Sequence, residues 1–213
     1  MEHTPESGKK LPELSSAPVN RTIRWGGVAL LLGGFLMAAF WIIFTNVHGP
    51  TSFNEDSPFL GKGMFFWGVM TSTPPSLLVA LGLILLYPQL VLPGARLARS
   101  GFNLTLIGLI VPAISDLVLG AMGPPLLLPL LGIGLILLGV GSRNNPWMQG
   151  GRRTIVLLIG SLLLLATASF FIPQEVSDSF SGYRIFGILV YFLPGLNWAW
   201  FGASLWRDKW MEG

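Results

Sequence analysis

The chain has 213 residues, 52% of them hydrophobic and only 11% charged, against about a quarter charged in soluble domains. Such a chain cannot clothe a soluble surface, and its charges fall in short clusters between long apolar runs, so bilayer is the solvent for most of it. The formal net charge of +3 comes from basic residues in twos and threes at the ends of those runs, not from the continuous basic face that nucleic-acid binding requires. Having no cysteine, the chain has no disulfide, thiolate chemistry, iron–sulfur cluster or cysteine-bound zinc.

Residues 1–24 are polar, with Glu2, Glu6 and Glu13 among Pro5, Pro12 and Pro18, and read as a disordered tail. A first span follows over 25–45, charge-free and just long enough to cover a hydrocarbon core of about 30 Å. It exceeds the apolar core of a signal peptide and lacks a small-residue cleavage site, so it is read as retained. A polar loop carries His48, Glu55, Asp56 and Lys62. The second span covers 65–87 and is interrupted by Pro74 and Pro75, where a kink is expected because each proline removes a backbone donor.

Arg96 and Arg99 close a short basic loop, and Gly101–Gly141 is then 41 residues with a single charge, Asp116. As one helix that stretch would measure about 60 Å, twice the membrane, so it folds back. Placing the reversal at Gly120–Pro125 gives spans over 101–119 and 124–141; the other position for it is Ser115-Asp116. Spans five and six cover 154–172 and 183–206, leaving 207–213 as a short tail.

Six spans with the N-terminus inside put Lys9, Lys10, Arg21, Arg24, Arg96, Arg99, Arg143, Arg152, Arg153, Arg207 and Lys209 on the inner side, and Lys62 and Arg184 outside. This asymmetry alternates correctly at every loop and predicts that both termini are cytoplasmic, in the cytoplasmic membrane of a prokaryote. Trp25, Tyr87, Trp206 and Trp210 fall at the inner boundary and Trp41, Trp67 and Tyr183 near the outer one. Trp198 and Trp200 fit neither belt and are expected to pack between helices.

Each even-numbered span holds a proline and, eight residues on, a glycine: Pro74 and Gly82, Pro124 and Gly132, Pro194 and Gly202. The spacing hints at three helical hairpins of one orientation, although proline and glycine are abundant enough for chance to produce it.

Asp116 is the one acid inside an apolar stretch, and an ionisable group there is costly enough to be a functional candidate. The competing reading places Ser115-Asp116 at the outer boundary, as a cap or part of the reversal. Asn197 is the best-placed polar residue of span six and either lines a cavity or hydrogen-bonds between helices. Gly195, Ala199 and Ala203 form a strip of small residues where another helix can approach, as do Ala29 with Gly33 and Gly34 with Ala38. Thr71, Ser72 and Thr73 either supply hydroxyls to a pore or repair the backbone bonds freed by Pro74, and repair is the favoured reading.

Gly139 and Gly141 lack the strand and the remaining pattern of a nucleotide loop. The Asn20-Arg21-Thr22 and Asn103-Leu104-Thr105 sequons fall on the side assigned to the cytoplasm. His3 and His48 lie outside the spans and no lysine lies within one, which removes intramembrane haem or zinc ligation by histidine and a retinal Schiff base.

The expectation is an all-α, multi-pass transmembrane helix bundle of about six spans with no cofactor. Its first reading is a non-enzymatic accessory or structural membrane protein. The alternative is a small-molecule transporter or the substrate-binding membrane subunit of one. A membrane enzyme, third, would need His48, Glu55, Asp56, Glu175 and Asp178 from the loops. The partners are the lipid bilayer and either other membrane subunits or further copies of the chain, with no nucleic acid.

Overall fold

The computed structural model describes residues 17–48, 61–119, 127–169 and 185–207, and within them the chain is all α-helical. Helix α1 spans Ala17–His48, α2 Met64–Leu90, α3 Arg96–Leu119, α4 Leu128–Gly141, α5 Gly151–Ser169 and α6 Leu193–Arg207. A 3-10 turn at Pro146–Met148 precedes α5 and a π-helical turn at Ile188–Phe192 runs into α6.

Five helical segments are long and apolar enough to cross a membrane, over 21–43, 66–90, 96–119, 151–169 and 185–205. The sixth, α4, has 14 residues, or about 21 Å at the helical rise, short of a full hydrocarbon core in its described part. The chain is thus a multi-pass membrane protein by helix composition.

Two boundaries differ from expectation. Residues 17–24, assigned above to a disordered tail, belong to α1, and His48 ends that helix instead of lying in the following loop. The extension starts with Pro18 in the first turn, where a missing N–H costs no hydrogen bond. Helical backbone is satisfied internally whether lipid or water surrounds it, so nothing obliges the helix to stop at the membrane surface.

The helices close a ring in chain order: each packs on the next, and α6 packs on α1. Neighbours are antiparallel. Gly27 and Gly34 of α1 meet Gly202 and Gly195 of α6, while Gly101 and Gly108 of α3 meet Leu138 and Leu131 of α4. Every described arginine therefore lies at one end of the ring, called here the basic end, and Lys62 at the other.

Lipid tails are as apolar as leucine, so helices in a bilayer associate through close packing, which small residues permit. Here the small residues are glycines seven apart, two helical turns, and hence on one stripe. In α1, Gly26 and Gly33 face α2 while Gly27 and Gly34 face α6. Adjacent positions differ by about 100° around a helix, so the two Gly-Gly pairs serve two neighbours. In α4 the same device uses Gly132 and Gly139 against α5, and Gly134 and Gly141 against α3.

The three-hairpin repeat does not extend to these contacts. Gly82 packs on α1, the helix before it, whereas Gly132 and Gly202 pack on the helix after them around the ring.

The basic end is plugged by the segment joining α4 to α5. The Ser142 hydroxyl donates to the Leu90 carbonyl at 3.1 Å, and Asn145 Nδ2 donates to the Gln89 carbonyl at 2.7 Å and that of Leu90 at 3.3 Å. These carbonyls end α2 and lack intrahelical donors. Beside them Met148 is fully buried and Trp147 meets Phe201 edge-on. Asn145→Ala should lower stability by about 1–3 kcal/mol, since the half-buried Gln89 carbonyl loses its side-chain donor and the Leu90 carbonyl keeps only Ser142. A thermal melt of the purified variant checks this.

Candidate functional site

Asp116 sits within α3 and is 4% exposed. Since α3 continues to Leu119, the reversal does not occur at Ser115-Asp116, and Asp116 is no cap at the outer boundary. Its Oδ2 accepts a 2.6 Å hydrogen bond from the Ser72 hydroxyl of α2. One turn of α3 earlier, the Ala113 carbonyl accepts from Thr73 Oγ1 at 3.1 Å. Pro112, in the same stretch of α3, has no N–H for the Gly108 carbonyl one turn before it.

The hydroxyls before Pro74 therefore have a different role from the one expected. Prolines 74 and 75 free the carbonyls of Met70 and Thr71, but Thr71 Oγ1 bonds the Trp67 carbonyl, while Ser72 and Thr73 reach across to α3. Each of these three residues is buried. They make α2–α3 the polar joint of the ring, where α1–α2, α3–α4, α4–α5 and α6–α1 are glycine joints.

Asp116 and Ser72 open onto a cavity of about 90 Å³ lined from all six helices and the π-helical turn. Met37, Ser76, Leu163, Tyr191 and Trp198 are among its walls. It lies toward the end opposite the arginines. Ser72 is early in α2, Asp116 late in α3, and Leu128 and Leu131 open α4.

The irregular backbone gathers at this level. Pro112 and Pro194 line the cavity, Pro74 and Pro75 lie between its Ser72 and Ser76, and the π-helical turn contributes Val190 and Tyr191. The turn follows from Pro194, which has no N–H for the Val190 carbonyl and whose ring crowds it. The chain responds by widening its register, so that the Leu193 N–H bonds Ile188, five residues back. Trp41 then stacks on Tyr191 with ring centroids 5.4 Å apart. Gly187 seats that indole: a Cβ there would fall onto the ring.

Asn197, Gly195, Ala199 and Ala203 are not among the cavity's walls. Asn197 is half-buried and its Nδ2 donates to the Leu193 carbonyl of its own helix at 2.8 Å, so the interhelical bond expected of it is not the one it makes. Asn197→Ala should change stability by under about 1 kcal/mol, because that carbonyl stays inside a helical turn. Chemical denaturation in detergent checks it. Gly195 and Ala199 lie against Gly34 and Ala38 of α1, and Gly202 continues their contact against Gly27 and Leu31.

Trp198 is 2% exposed, meets Phe201 edge-on and lines the cavity, whereas Trp200 is 58% exposed and faces outward instead of packing between helices. Glu55, Asp56, Glu175 and Asp178 lie outside the described residues. Among the described residues no group of three His, Asp or Glu side chains is placed to hold a metal.

Ser76, Met37 and Tyr191 are cavity residues that sequence reading missed. A signal for Ser76 was present: Ser72 and Ser76 are four apart, as are Pro112 and Asp116, and residues at that spacing share a helix face. Nothing in the sequence aligned those two faces.

Chemically, the cavity offers a carboxyl, hydroxyls and aromatic rings inside an apolar wall. A dry cavity of about 150 Å³ admits benzene, so this smaller one suits a polar solute of a few heavy atoms. No protein-family model matches the chain, nor does any curated protein or solved structure searched.

Proposed function

We propose that this protein is a non-enzymatic transporter, or the solute-binding membrane subunit of one, for a small polar solute held in the cavity beside Asp116 and Ser72. The observation that carries this reading is the cavity. It draws on every helix of the ring and holds the one buried acid among the described residues. Polar groups inside a membrane are expensive, and holding the α2–α3 joint does not require a carboxyl that also faces a cavity.

The arginines at one end support a cytoplasmic placement of that end and of both termini, in a cell membrane. The cavity is then in the outer half of the bilayer, above an inner half closed by glycine contacts and by the Asn145 plug. This corresponds to a site loaded from outside, with passage inward requiring the glycine joints and the plug to part.

The accessory reading differs in one measurable respect, because it expects Asp116 to be replaceable. Proteoliposomes of the purified chain, screened against small amines, amino acids, polyols and monovalent cations, should show saturable uptake of one class, lost in Asp116→Asn. Saturable uptake unchanged in that variant would remove Asp116 from the mechanism. No saturable uptake of any class would favour the accessory reading.

A further inference from the structure

Four joints of the ring are closed by glycine and the α2–α3 joint by hydrogen bonds, but α5–α6 has neither among the described contacts. At the basic end this joint holds a groove of about 350 Å³, lined by Trp147, Gln149, Arg152 and Ile155 on one side and Trp200 and Ser204 on the other. The Arg152 guanidinium lies 4.6 Å from the centre of the Trp147 ring and donates through one nitrogen to the Trp147 carbonyl at 2.9 Å. A guanidinium carries five N–H donors in a planar fork suited to phosphate.

The groove changes character along its length. Arg152 and Gln149 lie where α5 enters the bundle, at the level of the other arginines. Beyond Ile155 and Trp200 it continues onto an apolar outer surface, where Leu158, Leu165 and Leu196 are each more than two-fifths exposed. A cationic end at the membrane boundary, a tryptophan just inside it and an apolar track beyond reproduce the order of a phospholipid: phosphodiester, ester region, acyl chain.

We infer that the α5–α6 groove binds one phospholipid of the leaflet at the basic end, with Arg152 holding its phosphodiester and an acyl chain lying along Trp200 and Leu158. The lipid fills the joint that the described residues leave open. This inference is independent of the central cavity and of any transport.

The test uses the full chain, purified in mild detergent, supplied with phosphatidylglycerol and examined by native mass spectrometry. One phospholipid should persist at collision energies that strip the loosely held ones. Arg152→Gln should weaken its retention roughly ten- to a hundredfold, as expected when hydrogen bonds to a charged group are lost. Trp200→Ala should weaken it as well, and Arg99→Gln, exposed at the same end but remote from the groove, should leave it unchanged.

Equal retention by wild type, Arg152→Gln and Trp200→Ala would overturn the inference. So would displacement of the lipid by inorganic phosphate, which would mark a soluble-anion site. Should Arg152→Gln fail to fold, Trp200→Ala decides alone, since that side chain is more than half exposed.

Discussion

Gly34→Leu is expected to abolish the folded protein. A methyl group at Gly34 would already fall onto the Ala199 backbone nitrogen and the Gly195 carbonyl, and these are main-chain atoms of α6 that cannot rotate aside. Alanine at this position should cost about 1–3 kcal/mol, the usual range for overpacking by a small group. Leucine adds three more carbons at the same point and must separate α1 from α6.

Because α1–α6 is the contact that closes the ring, its loss opens the bundle to lipid along its length. Fluorescence-detected gel filtration should show the symmetric peak of the wild type broadened or absent for Gly34→Leu and shifted to lower melting temperature for Gly34→Ala. Gly151→Ala is the control: nothing lies within 4 Å of a Cβ there, and the backbone is not left-handed. Its peak and melting temperature should match those of the wild type. A well-folded Gly34→Leu protein would show that the α1–α6 contact is dispensable.

The second large effect falls on function. Asp116→Asn should reduce solute uptake to background while leaving the melting temperature within a few degrees of wild type. The asparagine side-chain oxygen still accepts from Ser72, so the α2–α3 joint keeps its hydrogen bond and only the carboxyl is lost.

Asp116→Leu separates the two roles. It leaves the Ser72 hydroxyl with only a long 3.4 Å contact to the Val69 carbonyl, and should cost about 1–3 kcal/mol of stability. Ser72→Ala should lower uptake by roughly tenfold, through loss of one hydrogen bond to a charged or strongly polar group. Uptake by Asp116→Asn at the wild-type rate would rule out a part for the carboxyl in solute binding.

How far the sequence was legible follows the range of the forces involved. Gly101–Gly141 announced its own reversal, because a helix of that length would overrun the bilayer. The arginine clusters told alternate ends apart, since charge placement is read locally at each loop. Both inferences need only one segment at a time.

Asp116 was visible as an anomaly but its setting was not. Whether it met water at the boundary or Ser72 in a cavity depends on α2 and α3 lying side by side, where Thr73 also reaches the Ala113 carbonyl. The hydroxyls before Pro74 were misread for the same reason, since repair within the helix is the only partner one helix can offer. Asn197 was misread in the opposite direction. Read as lining a cavity or bonding a neighbouring helix, it bonds its own turn.

Glycine shows the same division. The sequence displays Gly26-Gly27 and Gly33-Gly34, and a seven-residue spacing places each set on one stripe. Which neighbour each stripe meets, and that α6 returns to close the ring on α1, was decided only by the tertiary structure. In a bilayer the apolar helix faces are all equally content with lipid, so hydropathy cannot rank them. The sequence alone determined that this chain lives in a membrane, about how often it crosses, and which ends carry the charge, because those follow from the transfer of single segments between water and lipid. The cavity, the polar joint and the open α5–α6 groove depend on shape complementarity between segments distant in the chain, which no single segment encodes.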